Sequence, residues 1–252
     1  MMSSIVKRKT RRSFYGVLGT FLMVLGWIAI ERLVDNPFLI PSVSAVLTSL
    51  IEIFTQIEAW VVVWNTVARL LVSVGIAFSL GMVFLVLTIL KEETALLLRP
   101  LVTVFKTVPV ASIIIVLLVW FGSDRSPLVI TTLVIFPIMF ESFLTGLQNI
   151  RKSYLEELKM NGGITPYAIA RVYIPIIRPF LFMGLIQSMG LGIKVMVMAE
   201  LISQTRDSIG NMLYLQKIHF NMAGVFAWTI VLVLIVVLIE HLIHRIKNKL
   251  TP

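Results

Sequence analysis

The chain has 252 residues, of which 58% are hydrophobic and only 14% are Asp, Glu, Lys or Arg. Soluble domains are usually about 45–50% apolar and about 25% charged, so this composition excludes an ordinary soluble domain and indicates a membrane protein. Without cysteine, this chain cannot supply disulfides, thiol catalysis or cysteine-ligated metals, and three histidines are too few for most metal sites. The net charge of +9 fits nucleic acid, an anionic membrane or the charge asymmetry of a membrane protein.

Six stretches are apolar enough and long enough to cross a membrane, which takes about 20 residues. They are residues 14–34, 61–90, 100–121, 127–148, 177–200 and 223–244. The first follows basic residues, as a signal peptide would, but its apolar run is too long, and Glu31 and Arg32 follow it where small residues should mark cleavage. We therefore predict an all-α, polytopic fold with a basic tail over 1–13 and one transmembrane domain over 14–252.

The positions of the basic residues predict the orientation of these spans. Six spans place both termini on one side, and that side holds fifteen of the 22 Lys and Arg residues, against four on the other. Because cytoplasmic loops are enriched in Lys and Arg, both termini are predicted to be cytoplasmic. The basic residues form no contiguous basic face, so we do not expect nucleic-acid binding.

The outward segment over 35–59 carries an apolar stripe at helical spacing. The stripe consists of Val43, Val46, Leu47, Leu50, Ile51 and Phe54. It predicts an amphipathic helix, with Pro41 near its first turn. This helix would lie on the outer membrane surface or pack on the bundle of spans.

The cytoplasmic segment over 149–176 is longer than a simple connection requires. Ser153 and Glu156 form a capping box at the start of a short helix, and Asn161-Gly162-Gly163 predicts the turn that ends it. Thr165 is the expected N-cap of a second helix that has Pro166 at its first position. This helix–turn–helix suits either docking into the groove of a partner or an amphipathic elbow resting on lipid headgroups.

This segment resembles the signature of ABC-importer permease subunits, which is Glu-Ala-Ala, three residues, Gly, nine residues and Ile-x-Leu-Pro. The residues at the matching offsets are Glu156, Gly162, Val172, Ile174 and Pro175. Glu157 and Leu158 stand where the signature has its two alanines, so the side chains at that turn are larger than those of the signature. Further pieces resemble the nitrate/sulfonate/taurine-type branch: Leu39-Ile40-Pro41-Ser42, Lys106-Thr-Val-Pro109, Val119-Trp120-Phe121-Gly122, Phe136-Pro137-Ile138 and Ala199-Glu200.

The resemblance implies a permease subunit in the bacterial cytoplasmic membrane, in contact with lipid. It implies that 153–167 docks on cytoplasmic ATP-binding subunits and that Glu156, Glu157, Gly162, Val172, Ile174 and Pro175 couple ATP hydrolysis to transport. This chain has no phosphate-binding Gly-x-x-x-x-Gly-Lys-Ser/Thr loop, so we expect ATP on the partner subunit and no cofactor here. An extracytoplasmic solute-binding protein and a permease homodimer are the other expected partners, although a heterodimer of permeases is left open.

Five ionisable residues inside the spans are candidates for the translocation path, because charge within a membrane is costly. They are Arg69, Lys106, Glu141, Lys194 and Glu200. Guidance of an anion is one interpretation of Arg69 and Lys194, and pairing with Glu141 or Glu200 is the other. Lys106 could instead extend to the cytoplasmic surface.

Small residues recur every fourth position on two spans. They are Ser73, Ala77 and Gly81 on the second span and Gly184, Ser188 and Gly192 on the fifth. Such stripes allow helices to approach closely. They would serve packing within the bundle, the translocation path or contact with a second permease.

No catalytic constellation emerges, so we expect a transport subunit rather than an enzyme. The resemblance to this family branch implies a small anionic solute such as a sulfonate, taurine or nitrate. Bicarbonate and a thiamine precursor are alternatives. A secondary transporter driven by an ion gradient is the main rival, although the sequence shows no clear inverted repeat. A membrane scaffold without transport is a second rival.

Overall fold

The computed structural model describes residues 2–150 and 164–250, and helices form nearly all of this part of the chain. The helices are α1 (Met2–Val34), α2 (Val43–Thr55), α3 (Ile57–Leu90), α4 (Glu93–Thr107), α5 (Val110–Gln148), α6 (Pro166–Ser203), α7 (Ile209–Ile218) and α8 (Met222–Leu250). The predicted all-α fold is therefore confirmed. The predicted helix from Ser153 lies outside the described residues.

Four of the described helices are long and apolar enough to span a membrane. They are Ile57–Leu90, Val110–Gln148, Pro166–Ser203 and Met222–Ile243. They correspond to the predicted spans 61–90, 127–148, 177–200 and 223–244. The predicted span 14–34 lies in α1, which also includes most of the basic segment that precedes it and is not one of these four.

The third predicted span, 100–121, is not a single helix. Val108 and Pro109 have extended backbone angles (ψ 132° and 124°) between α4 and α5. Proline has no N–H to donate and disfavours helical geometry in the preceding residue, so a break at this position follows from the covalent structure. The hydropathy pattern does not register that break.

The third and fourth predicted spans, 100–121 and 127–148, are not separated by a loop. The chain continues as α5, interrupted at Gly122, whose φ of 72° and ψ of 178° are not helical. This region of backbone space is essentially restricted to glycine. Gly122 therefore divides α5 into two helical halves that correspond to the end of the third predicted span and to the fourth.

The main core lies between α3, α5 and α6 and contains the apolar side chains of all three helices. The Phe143 ring packs between two glycines: an added Cβ would lie 2.9 Å from the ring at Gly81 and 3.1 Å from it at Gly184. Both predicted stripes of small residues are buried around this core, including Ser73 and Ser188. They serve close helix packing within this chain.

The outer elements α1 and α2 pack on this core only in part. Trp27 of α1 donates its indole N–H to the Pro41 carbonyl (3.1 Å) and packs on Phe226 of α8, with ring centroids 5.2 Å apart. In α2, Val46 is buried, whereas Ile51 is exposed. Because α2 packs against α8 and α3, the predicted amphipathic helix belongs to the bundle and leaves part of its apolar stripe uncovered.

Candidate translocation site

Two of the predicted path residues form a buried ion pair. Arg69 lies near the start of α3, Glu200 lies near the end of α6, and an Arg69 guanidinium nitrogen is 3.1 Å from Glu200 Oε1. The Glu200 side chain is completely buried, and that of Arg69 is 23% exposed. Burial of a carboxylate is costly unless it is paired, so this contact explains why both charges are tolerated here. Pairing is the alternative that the structure favours for Arg69.

The second oxygen of Glu200 organises the start of α7. Glu200 Oε2 accepts a hydrogen bond from Thr66 Oγ1 (2.9 Å) and one from the Gly210 backbone N–H (3.3 Å). Thr66 Oγ1 in turn accepts from the Ile209 backbone N–H (3.0 Å). A carboxylate at a helix N-terminus satisfies free N–H groups and interacts favourably with the helix dipole. Glu200 therefore ties α6 to both α3 and α7.

The connection between α6 and α7 is fixed by further hydrogen bonds. Arg69 donates to the Arg206 carbonyl (3.2 Å), and Thr205 Oγ1 donates to the Ser123 carbonyl (2.7 Å). Ser208 caps α7 by accepting from the Asn211 N–H (3.1 Å). These contacts hold the connection against both α3 and α5, so this end of the bundle is a cross-linked unit.

Lys106 and Glu141 form a second ion pair, toward the opposite end of the bundle. Lys106 Nζ, on α4, lies 2.7 Å and 2.9 Å from the two Glu141 carboxylate oxygens, on α5. Unlike the buried pair, these side chains are 48% and 44% exposed. Both border an open cavity of ≈ 510 Å³ between α4, α5 and α6. Lys106 is therefore paired within the chain and borders a cavity with both polar and apolar walls.

Lys194 is the remaining ionisable candidate and has no such partner. It is exposed, and within the described residues it makes no hydrogen bond or ion pair. The exposed residues Met183, Gln187, Leu191 and Met198 recur with it every three or four positions along α6. This exposed face of α6, from Met183 to Met198, runs from the cavity toward the end that holds Glu200.

Gln187 is a site residue that the charge search over the spans missed. Its side chain lines the cavity beside Lys106 and Glu141, and it is exposed on the same face of α6 as Lys194. An amide in the middle of an apolar span, seven residues before Lys194, is the sequence signal that would have found it, because seven residues are close to two helical turns.

The residues predicted to couple transport to ATP hydrolysis are only partly described. Glu156, Glu157 and Gly162 lie outside the described residues. Val172 lies in a π-helical turn over Ile169–Tyr173, and Ile174 and Pro175 follow it.

The predicted helix start before that turn is confirmed. Thr165 Oγ1 accepts from the Ala168 N–H (3.1 Å), and Pro166 is the first helical residue. Pro175 cannot donate a hydrogen bond and would crowd the carbonyl of the preceding turn, so a widened turn accommodates it.

Comparison with known proteins decides the family. Residues 78–252 match the family described as "Binding-protein-dependent transport system inner membrane component". This match covers more than half of the chain. The chain belongs to this family.

Alignments of the permease with its relatives extend over nearly its whole length. It is 25% identical over 254 residues to the formylaminopyrimidine transport permease protein ThiX of Halalkalibacterium halodurans, covering 96% of this chain and 98% of that one. It is 24% identical over 243 residues to the taurine transport system permease protein TauC of Escherichia coli, with coverages of 94% and 88%. It is 21% identical over 252 residues to a putative aliphatic sulfonates transport permease protein, SsuC, of Bacillus subtilis, with coverages of 97% and 91%.

The fold of the permease is also found among solved structures. It matches a chain of the MetNI methionine ABC transporter in an inward-facing conformation with a TM-score of 0.65 and 22% identity, over 77% of this chain and 97% of that one. At that identity the likeness concerns the fold alone. Together with the family and the apolar helices, it makes the chain a multi-pass membrane permease of an ABC importer for small solutes.

Proposed function

We propose that this permease imports a small anionic or dipolar solute of the sulfonate or taurine type, driven by ATP hydrolysis on a separate subunit. The observation that carries the proposal is the exposed face of α6, on which Gln187 and Lys194 lie within a membrane-spanning helix. Polar and charged groups at this depth belong beside water or a protein partner rather than lipid. We place the translocation path along this face, between two copies of the chain.

The charges along this face favour an anionic group on the solute. Arg69 is paired with Glu200 and Lys106 with Glu141, whereas Lys194 makes no ion pair within the described residues. An uncompensated cation beside a narrow aqueous path lowers the barrier to entry of an anion. Relatives named for taurine and for aliphatic sulfonates support this class, and nitrate carries the same charge as a sulfonate.

Import of a thiamine precursor is a second candidate for the same machinery. It is supported by the 25% identity to a formylaminopyrimidine permease over 96% of this chain. Competition separates the two candidates: uptake of labelled taurine by the assembled transporter should fall with excess ethanesulfonate or nitrate and remain unchanged with excess formylaminopyrimidine. Inhibition by excess formylaminopyrimidine, without inhibition by ethanesulfonate or nitrate, would favour import of the precursor.

The assembly in this proposal follows the family's organisation. Two permease copies span the membrane, ATP-binding subunits dock on the cytoplasmic segment over 149–176, and a solute-binding protein docks on the other side. Closure of the ATP-binding subunits would move this segment and, through the π-helical turn before Pro175, tilt α6. Because α6 packs along α5 over much of its length, the two helices would move together and open the path outward.

The docking of the ATP-binding subunit gives the first test. Gly162→Val and Glu156→Lys should each release this subunit when the permease is purified from membranes, while the amount of inserted permease stays unchanged. Glu58→Lys is the matched control, because Glu58 lies in the first turn of α3, at the end of the bundle predicted to face outward. Retention of the ATP-binding subunit and of transport in both Gly162→Val and Glu156→Lys would contradict the coupling role of this segment.

A further inference from the structure

The cavity between α4, α5 and α6 has the composition of a solute site. Its volume of ≈ 510 Å³ falls within the range of about 300–1,000 Å³ that is typical of small-molecule pockets. Its polar lining consists of Lys106, Glu141, Ser142, Thr145 and Gln187, and its remaining walls are apolar. Such a cavity combines a few polar groups, which orient a ligand, with apolar surface, against which the ligand packs.

The two charges in this cavity are paired but not sequestered. Both side chains are nearly half exposed, so the pair contributes little to stability and a ligand can replace it at small cost. Gln187 makes no hydrogen bond within the described residues, which leaves its amide free to donate. The Ser142 hydroxyl, by contrast, already donates to the Phe180 carbonyl (2.7 Å).

We infer that this cavity binds a small dipolar solute, with the acidic group of the solute on Lys106 and Gln187 and its ammonium group on Glu141. This inference rests on the proposed function and narrows the solute class from anionic or dipolar solutes to zwitterions. A simple anion that takes Lys106 leaves Glu141 without a partner and close to another negative charge. A zwitterion satisfies both residues, so the site discriminates through the unpaired charge that the wrong ligand creates.

Equilibrium binding to the purified full-length permease in lipid nanodiscs tests the inference without the solute-binding protein. Labelled taurine is the probe, and unlabelled taurine, ethanesulfonate and ethylammonium are the competitors. Ethanesulfonate keeps the sulfonate of taurine and lacks its amine, and ethylammonium keeps only the amine. We expect taurine to bind about tenfold more tightly than either single-charge competitor.

Variants assign this preference to the ion pair. Glu141→Gln should reduce the ratio of taurine affinity to ethanesulfonate affinity to about one, because the ammonium group of taurine then has no carboxylate to bind. Glu58→Gln removes a carboxylate from the first turn of α3, away from the cavity, and should retain the full preference. Lys106→Gln should abolish sulfonate binding, and Lys217→Gln, at an exposed position near the end of α7, is its matched control.

The charge-reversed double variant, Lys106→Glu with Glu141→Lys, guards against loss of folding in the single variants. It keeps the ion pair and presents the same two charges, so the preference for taurine should return to within about threefold of wild type.

Equal binding of taurine and ethanesulfonate to the wild type, no saturable taurine binding, or a preference unchanged by Glu141→Gln would overturn the inference. The proposed function would survive those results if ATP-driven sulfonate uptake persists. Loss of ATP-driven uptake with an intact taurine preference would instead contradict the proposed function.

Discussion

Glu200 is the charged residue that the fold buries completely within the described part of the chain. Its carboxylate makes three contacts: it pairs with Arg69, accepts a hydrogen bond from Thr66, and accepts another from the Gly210 N–H at the start of α7. Loss of the cation would leave this negative charge buried and only partly compensated. The stability of this end of the bundle should therefore depend on Arg69.

Arg69→Met should destabilise the permease by about 3 kcal/mol, because it removes the cation and leaves Glu200 buried. For a chain of this size, that corresponds to a fall in Tm of roughly 6–12 °C in thermal unfolding of the purified protein. Arg206→Met is the matched control, because the Arg206 side chain is exposed. Adding Glu200→Gln to Arg69→Met should recover part of the loss, and equal Tm values for Arg69→Met and Arg206→Met would contradict the buried-pair argument.

Gly210 shows how closely α7 approaches α6. An added Cβ would lie 2.5 Å from Glu200 Cβ and even closer to the Leu201 backbone nitrogen, so the backbone would have to shift. Gly210→Ala should cost about 2 kcal/mol despite the higher helix propensity of alanine. Gly75→Ala, in α3 with nothing within 4 Å of the added Cβ, should leave Tm unchanged or raise it slightly. A Gly210→Ala Tm equal to that of Gly75→Ala would refute the close approach.

Sequence alone identified the ionisable residues of the site but not their partners. Each of the five stood out because charge is rare in an apolar span. The contacts between Arg69 and Glu200 and between Lys106 and Glu141 join residues 131 and 35 positions apart, and only the packing of the helices brings them together. Gln187 was missed because its side chain is uncharged and the search considered only ionisable residues.

At the scale of elements, local breaks in the backbone divide the helices of the bundle into segments. The extended residues Val108 and Pro109 divide α4 from α5, Gly122 divides α5, and the π-helical turn precedes Pro175. Each break has a local chemical cause, either the missing N–H of proline or the wide backbone range of glycine.

Gly122→Ala tests the cause of the break in α5. An added Cβ at Gly122 meets nothing within 4 Å, so any cost arises from the backbone angles (φ 72°, ψ 178°) and not from a clash. We expect a loss of about 2 kcal/mol, measured by thermal unfolding. Gly75→Ala again serves as control, because its added Cβ is equally free and its backbone is helical. Equal Tm values in the two variants would show that Gly122 does not need its special conformation.

Hydropathy and capping predicted the elements unequally. Four long apolar stretches and the Thr165–Pro166 helix start follow directly from composition and capping chemistry, and the structure confirms them. The interruption of the third predicted span was missed, because hydropathy averages over the break at Pro109. The π-helical turn leaves no hydropathy signal, since its apolar residues also fit an ordinary helix.

At the scale of the whole molecule, the two ends of the bundle have different mechanical character. The end with Glu200 is cross-linked by buried hydrogen bonds, whereas the end with Lys106 is open and bordered by an exposed ion pair. Alternating access requires at least one end to open and close around the solute. The end with Lys106 is therefore the more accessible end of the described bundle.

Solute uptake into proteoliposomes is the most direct test of an ATP-driven permease. The full-length chain would be reconstituted with its ATP-binding subunit, ATP on the same side as that subunit, and the solute-binding protein with labelled taurine on the opposite side. We predict accumulation that requires ATP and both partners and that Gly162→Val abolishes. Accumulation by the permease alone on an imposed ion gradient, without ATP, would contradict the account.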